Sequence, residues 1–217
     1  MSSKPYVIGL NASPFTSVKE HNTAKAVWTA LSAAEQTGAE VNLINLGQIP
    51  HDDGRRPEEM PFEERIDALP DRGGLREVIA EILKADGIIF ATPTRNFTAS
   101  SRMHALFSWL QTHTDAPDYV LTGKVAAFMS VCEEDGGQNA NMSMLSPVSH
   151  LGLIMPPFPA YFYNKFAEES EGDWQETDRV LTGLNVRRMC QILRGEITPP
   201  PGGFTAEMWQ DDEISSW

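Results

Sequence analysis

Short, almost uninterrupted apolar runs separated by stretches of helical periodicity constrain this chain more than anything else in it. Residues 6–11 (Tyr-Val-Ile-Gly-Leu-Asn), 41–46, 87–92 (Gly-Ile-Ile-Phe-Ala-Thr), 125–130 and 153–155 have the apolar content of strands buried on both faces. Between them, residues 22–36, 75–86, 100–112 and 139–151 place apolar side chains three and four apart, and residues 177–194 repeat the pattern after the last run. Buried strands alternating with helices of this length require a parallel sheet with helices packed on both faces, a doubly wound five-stranded α/β domain. The chain's 217 residues, 41% of them hydrophobic, suffice for one such core. A domain over residues 1–197 is expected, followed by a Pro/Gly linker and an acidic tail over 198–217 that carries Trp209 and Trp217. That tail is read either as a frayed terminus or as an arm docked on a partner subunit.

Charge and cysteine content narrow the functional classes. Seventeen Lys and Arg against thirty Asp and Glu give a formal charge of −13, which disfavours a polyanion such as nucleic acid as partner. Cys132 and Cys190 are too few and too far apart for a disulfide framework or a metal-ligand pattern. No run approaches the ~18 apolar residues of a membrane span. A soluble, unprocessed cytoplasmic protein is expected. His51 beside Asp52 and Asp53 is read as an exposed polar loop and not as a metal site.

In an open parallel sheet, ligands bind beyond the carboxyl ends of the strands, near the reversal of strand order. Three loops therefore matter. The first (residues 12–23) carries Ser13, Ser17, Asn22 and Thr23 and leads into a helix, whose unpaired N–H groups favour a phosphate; Asn22 and Thr23 read equally well as helix caps. The second (residues 92–100) carries Pro93, Thr94, Arg95, Asn96 and Phe97, suited to a flat polar ring, with Thr98 or Ser100 capping the next helix. The third (residues 130–139) carries Ser130, Cys132, Gly136 and Gly137; its glycines permit close backbone approach, and Glu133, Glu134 and Asp135 argue for an inert Cys132 thiol. The long polar segment 47–74 reads as a lid, interface arm or mobile loop. Phe158 to Tyr163 reads as buried core or as a subunit interface that walls a pocket.

These motifs carry a resemblance. Gly9-Leu10-Asn11-Ala12-Ser13-Pro14, Asn22-Thr23-Ala24-Lys25, Thr92-Pro93-Thr94 leading to Ser100, Gly123-Lys124-Val125-Ala126-Ala127, Gly136-Gly137 and His150-Leu151-Gly152 follow in the order of the flavodoxin-like NAD(P)H-dependent FMN reductases, over residues 6–194. The resemblance implies the flavodoxin-like strand order 2-1-3-4-5. It implies FMN as cofactor and NADPH or NADH as donor, with a quinone, flavin or similar small acceptor, in a homodimer or homotetramer. It assigns Ser13, Ser17, Asn22 and Thr23 to the FMN phosphate and Pro93, Thr94, Arg95, Asn96 and Phe97 to the ring. Ser130, Cys132, Gly136 and Gly137 fall to the dimethylbenzene and ribityl side. No catalytic side chain is required, since a flavin carries its own chemistry. Arg55, Arg56, Arg95 and Arg102 are candidates for the anionic nicotinamide cofactor or plain surface charges. The resembled family has glycine where Phe97 and Cys132 stand. Two alternatives are an electron-carrying module that serves a partner enzyme and a specialised flavoenzyme of secondary metabolism.

Other nucleotide-binding and hydrolytic classes lack their residues. Gly9 to Pro14 is not Gly-x-Gly-x-x-Gly, and neither a phosphate-loop Gly-Lys-Ser/Thr nor a Gly-x-Ser-x-Gly elbow is present. Segment 47–74 contains no cysteine, so it offers no iron–sulfur ligands.

Overall fold

The ladder begins where the apolar runs are longest. β3 (Gly87–Pro93) is buried along its whole length and pairs in parallel with β1 (Tyr6–Asn11) on one side and β4 (Val125–Cys132) on the other. β2 (Glu40–Asn45) and β5 (Ala160–Asn164) form the edges, giving the order β2-β1-β3-β4-β5. The computed structural model describes residues 4–50, 60–70, 72–115, 118–165 and 174–198. His51 to Asp53, Arg55, Arg56 and residues 199–217 lie outside the described residues.

Alternation along each strand divides the core into two layers. Ile8, Leu10, Ile88, Phe90 and Phe128 face α3 (Leu75–Lys84), α4 (Ser101–Thr114) and α5 (Gly137–His150). Val7, Ile89, Ala91, Ala127 and Met129 face α1 (Asn22–Gln36) and α6 (Trp174–Leu193). Each fully buried Phe or Ile contributes about 1.5–3 kcal/mol by leaving water. α1 and α6 pack closely because Gly183 has no side chain: a Cβ there would lie 1.9 Å from the Ala30 carbonyl oxygen. A short α2 (Phe62–Asp67) breaks the long segment after β2 and packs on α4.

Three sequence expectations are corrected. The fifth strand is not 153–155. Ile154 makes only an isolated bridge to Val125, bonding Lys124 O and Ala126 N; Pro156 and Pro157, which lack N–H groups, then stop the ladder. Pairing resumes where Pro159 O accepts the Phe128 N–H, and Ala160 aligns with Phe128. The aromatic stretch is therefore an edge strand, with Tyr161 and Tyr163 buried and Phe158 and Phe162 exposed. Secondly, neither Asn22 nor Thr23 caps α1: His21 holds the cap position and supplies no side-chain bond. The His21 N–H donates to Ser17 O at 3.1 Å, a turn that puts His21 and not Asn22 or Thr23 at the cap position and leaves the first-turn amides without a side-chain cap. Thirdly, Ser100 holds the cap position of α4 as expected, but its hydroxyl makes no cap bond and lies 3.1 Å from that of Thr92 instead.

Candidate functional site

The strand order places the β3 loop between those of β1 and β4, and a cleft of about 770 Å³ opens among the three. Asn11, buried at the end of β1, organises the first wall. Its amide nitrogen donates to Phe15 O (3.0 Å) and Asn45 Oδ1 (2.8 Å), and its Oδ1 accepts the Ser13 N–H (3.0 Å). Ser13 Oγ in turn accepts the Phe15 N–H at 3.2 Å, and the Phe15 ring stacks on His21 with centroids 4.5 Å apart. Ser13, Phe15, Asn22 and Thr23 line the cleft where α1 begins. With no acidic residue in the first turn and no side-chain cap, the positive end of the helix dipole is left for an anion.

The β3 loop is a tight hairpin. Arg95 N–H donates to Thr98 O (2.9 Å) and Thr98 N–H to Arg95 O (3.0 Å), with Asn96 and Phe97 at its tip at φ 49° and 61°. A two-residue turn with both central φ positive suits Asn followed by Gly; Phe97 adopts this conformation at a steric cost. Phe97 is 61% exposed and lines the cleft with Pro93, Thr94, Arg95 and Asn96. The Thr94 hydroxyl is buried and has no hydrogen-bond partner among the described residues.

The β4 loop is held shut by its own small residues. The Ser130 hydroxyl donates to Gly137 O at 2.6 Å, and the Cys132 thiol to Tyr163 O at 3.2 Å. Burial, and then the Asp135 charge, push the Cys132 thiol above its ordinary value, so it stays protonated and unreactive at neutral pH. Gly136, at φ 83°, lies under Phe97: a Cβ there would meet the ring at 2.8 Å. Phe162 similarly packs over Gly137. Thus Ser13, Asn22, Thr23, Pro93, Thr94, Arg95, Asn96, Phe97 and Cys132 are brought together on the cleft, while Ser17, Ser130, Gly136 and Gly137 are not among the residues that line it. Phe15, Val131, Glu133, Glu134, Asp135 and Lys165 also line it. In the sequence the acidic run argues only for an inert Cys132 thiol and is not marked as lining, and no local signal marks Lys165, which follows β5. Arg102 is partly buried, its Nη1 donating to Ser13 O and Leu46 O.

The family model described as NADPH-dependent FMN reductase matches residues 5–168. No curated protein matches significantly. Solved structures similar to this chain include RosB with bound 8-demethyl-8-formylriboflavin-5′-phosphate (16% identity, TM-score 0.71, covering 88% of this chain and 81% of that one). An apo NADH:FMN oxidoreductase, EMOB, matches at 17% identity with TM-score 0.53, over 92% of this chain and 94% of that one. A flavodoxin from the domain Archaea matches at 11% identity with TM-score 0.51, over 86% and 99%. At these identities the likeness is one of fold.

Proposed function

The chain belongs to the NADPH-dependent FMN reductase family, and from that premise we propose that it binds FMN in the three-loop cleft and moves electrons from NADPH or NADH to a small acceptor such as a quinone or a flavin. The cleft itself carries this reading: about 770 Å³, within the usual range of about 300–1,000 Å³ for small-molecule sites, with the uncapped start of α1 and the unpartnered Thr94 hydroxyl in its wall. The donor set fits the group. A phosphate monoester at the start of α1 meets amides, the Ser13 and Thr23 hydroxyls and the Asn22 amide, with Ser17 on the same loop. A flat ring with polar edges would be held along Pro93–Phe97, the stretch that carries the unpartnered Thr94 hydroxyl. A buried hydroxyl left without a partner costs about 1–3 kcal/mol, which a ring heteroatom relieves.

Bound FMN supplies the hydride chemistry. The chain's residues bind and orient it and keep one face open. Ser130, Gly136 and Gly137 act through packing: they hold the β4 loop against the hairpin and so set the cleft's width. Cys132 contributes a neutral surface beside the ribityl side. In this reading the protein works in the cytoplasm as a homodimer or homotetramer, which light scattering checks; among the described residues no helix is long and apolar enough to cross a membrane.

An absorbance spectrum of the purified chain, followed by anaerobic NADPH, tests the reading. Flavin bands that bleach support it, and a colourless chain that cannot be reconstituted with FMN overturns it. Glu133, Glu134 and Asp135, exposed at the cleft, favour a second reading, in which a basic redox protein docks there and the chain only carries electrons. Direct oxidation of NADPH or NADH by the purified chain separates enzyme from carrier.

A further inference from the structure

On the other side of the Arg95–Thr98 hairpin lies a second cavity of about 490 Å³, which shares Pro93, Arg95 and Asn96 with the cleft. Its charge balance differs from the cleft's. The cleft sets Glu133, Glu134 and Asp135 against Arg95 and Lys165, whereas the second cavity has no acid among its described lining residues and gathers Arg95, Arg102 and His104 around the apolar Pro14, Pro93 and Ala99.

Among the described residues neither arginine meets a carboxylate. Arg95 spends Nη1 on Thr94 O at 3.1 Å, and Arg102 spends Nη1 on Ser13 O and Leu46 O at 3.4 and 3.2 Å. His104 Nε2 meets the Thr98 hydroxyl at 3.2 Å. A guanidinium carries five N–H donors, so both arginines keep most of theirs. In a chain with thirty acidic side chains against seventeen Lys and Arg, two arginines around one cavity whose described lining holds no carboxylate are an unanswered positive charge, with the His104 ring beside them as a further hydrogen-bonding group. Beside an apolar surface such a charge attracts an anion more strongly than it does in open water.

We infer that this cavity binds an amphipathic organic anion, its apolar body on Pro14, Pro93 and Ala99 and its carboxylate or sulfonate among Arg95, Arg102 and His104. A bare inorganic anion gains nothing from the apolar floor, and a neutral aromatic gains nothing from the cations. Because one hairpin borders both cavities, the occupant sits beside the proposed flavin ring. That it serves as the acceptor rests on the flavin reading; that it binds does not.

The test is calorimetric titration of the full-length chain, with and without added FMN, using naphthalene-2-sulfonate, naphthalene-2-methanol and inorganic sulfate. The sulfonate is expected to bind roughly tenfold or more tighter than the alcohol, as charge-assisted hydrogen bonds require, and tighter than sulfate. Arg95→Gln should cut that preference several-fold, and Arg95→Gln with His104→Gln further; both positions are exposed, and a thermal melt of each variant checks that it folds. Equal affinities for sulfonate and alcohol, or a preference undiminished in both variants, overturn the inference. A chain that takes up no FMN but keeps the preference leaves this site standing and removes the flavin reading alone.

Discussion

The two ends of the sheet are built from the same strands and differ in how completely their polar groups are satisfied. At the amino end, Lys124 Nζ donates to Leu83 O and Ala85 O (2.8 and 2.6 Å) and so closes the carboxyl terminus of α3. Asp86 accepts both the Tyr6 N–H and Arg194 Nη1 at 2.8 Å. At the carboxyl end, among the described residues, Thr94 has a buried hydroxyl without a partner, Asn96 and Phe97 hold positive φ, and Arg95 and Arg102 meet no carboxylate. Satisfied groups stabilise the fold and leave nothing to offer a ligand. Unsatisfied groups cost stability in the free protein and are answered on binding.

If this division holds, substitutions at the two ends move different measurements. The largest effect is expected from Lys124→Met at the amino end, which strips two carbonyls of their donor: urea unfolding should show a loss of about 2–3 kcal/mol, with FMN affinity unchanged. A change in FMN affinity there would break the division. Cys190, near Asp86, gives the next effect. Burial, reinforced by Asp86, pushes its thiol from 9.0 up to about 12, so the folded chain keeps a proton that the unfolded chain releases. Its contribution is therefore complete below pH 9 and is lost as pH rises towards 12, by about 1.4 kcal/mol at pH 10. Cys190→Ala should flatten the pH 7–10 stability profile by that amount, read from unfolding midpoints. At the carboxyl end Thr94→Val should raise the stability of the FMN-free chain by about 1 kcal/mol, because it removes an unanswered hydroxyl, and weaken FMN binding roughly fivefold, one neutral hydrogen bond, by fluorescence titration. Phe97→Gly is the smallest: relief of the left-handed conformation should raise stability by about 0.5–1 kcal/mol in the same urea assay. A loss on Phe97→Gly would show that Phe97 is structural packing and not strain held for the site.

The sequence was most legible where interactions are local or the burial is total. β1, β3 and β4 are continuous apolar runs, and the three loops that form the cleft are those at their carboxyl ends. β5 was misplaced because 153–155 and 160–164 are both apolar enough to be strands; the choice between them depends on two prolines interrupting a ladder whose other side is β4. The cap of α1 was misread because Asn22 and Thr23 have cap chemistry, yet the Ser17 carbonyl had already taken the turn. Lys165 could not be found without β5. The hairpin at Asn96 and Phe97 contradicts turn preference, and only the packing of Phe97 over Gly136 shows that the conformation is supported.

Periodicity and apolar run length determined the layered parallel architecture, because the side chains that must leave water fix the faces of each strand and helix within a few residues. Tertiary structure alone decided which hydroxyls are spent and which are open. Ser130 and Ser100 look like Thr94 in sequence, but Gly137 and Thr92 meet the first two while no described residue bonds the third. Hydrogen bonds and ion pairs act over about 3 Å between residues remote in the chain, so whether a polar group is answered is settled only when the fold has brought its neighbours into place.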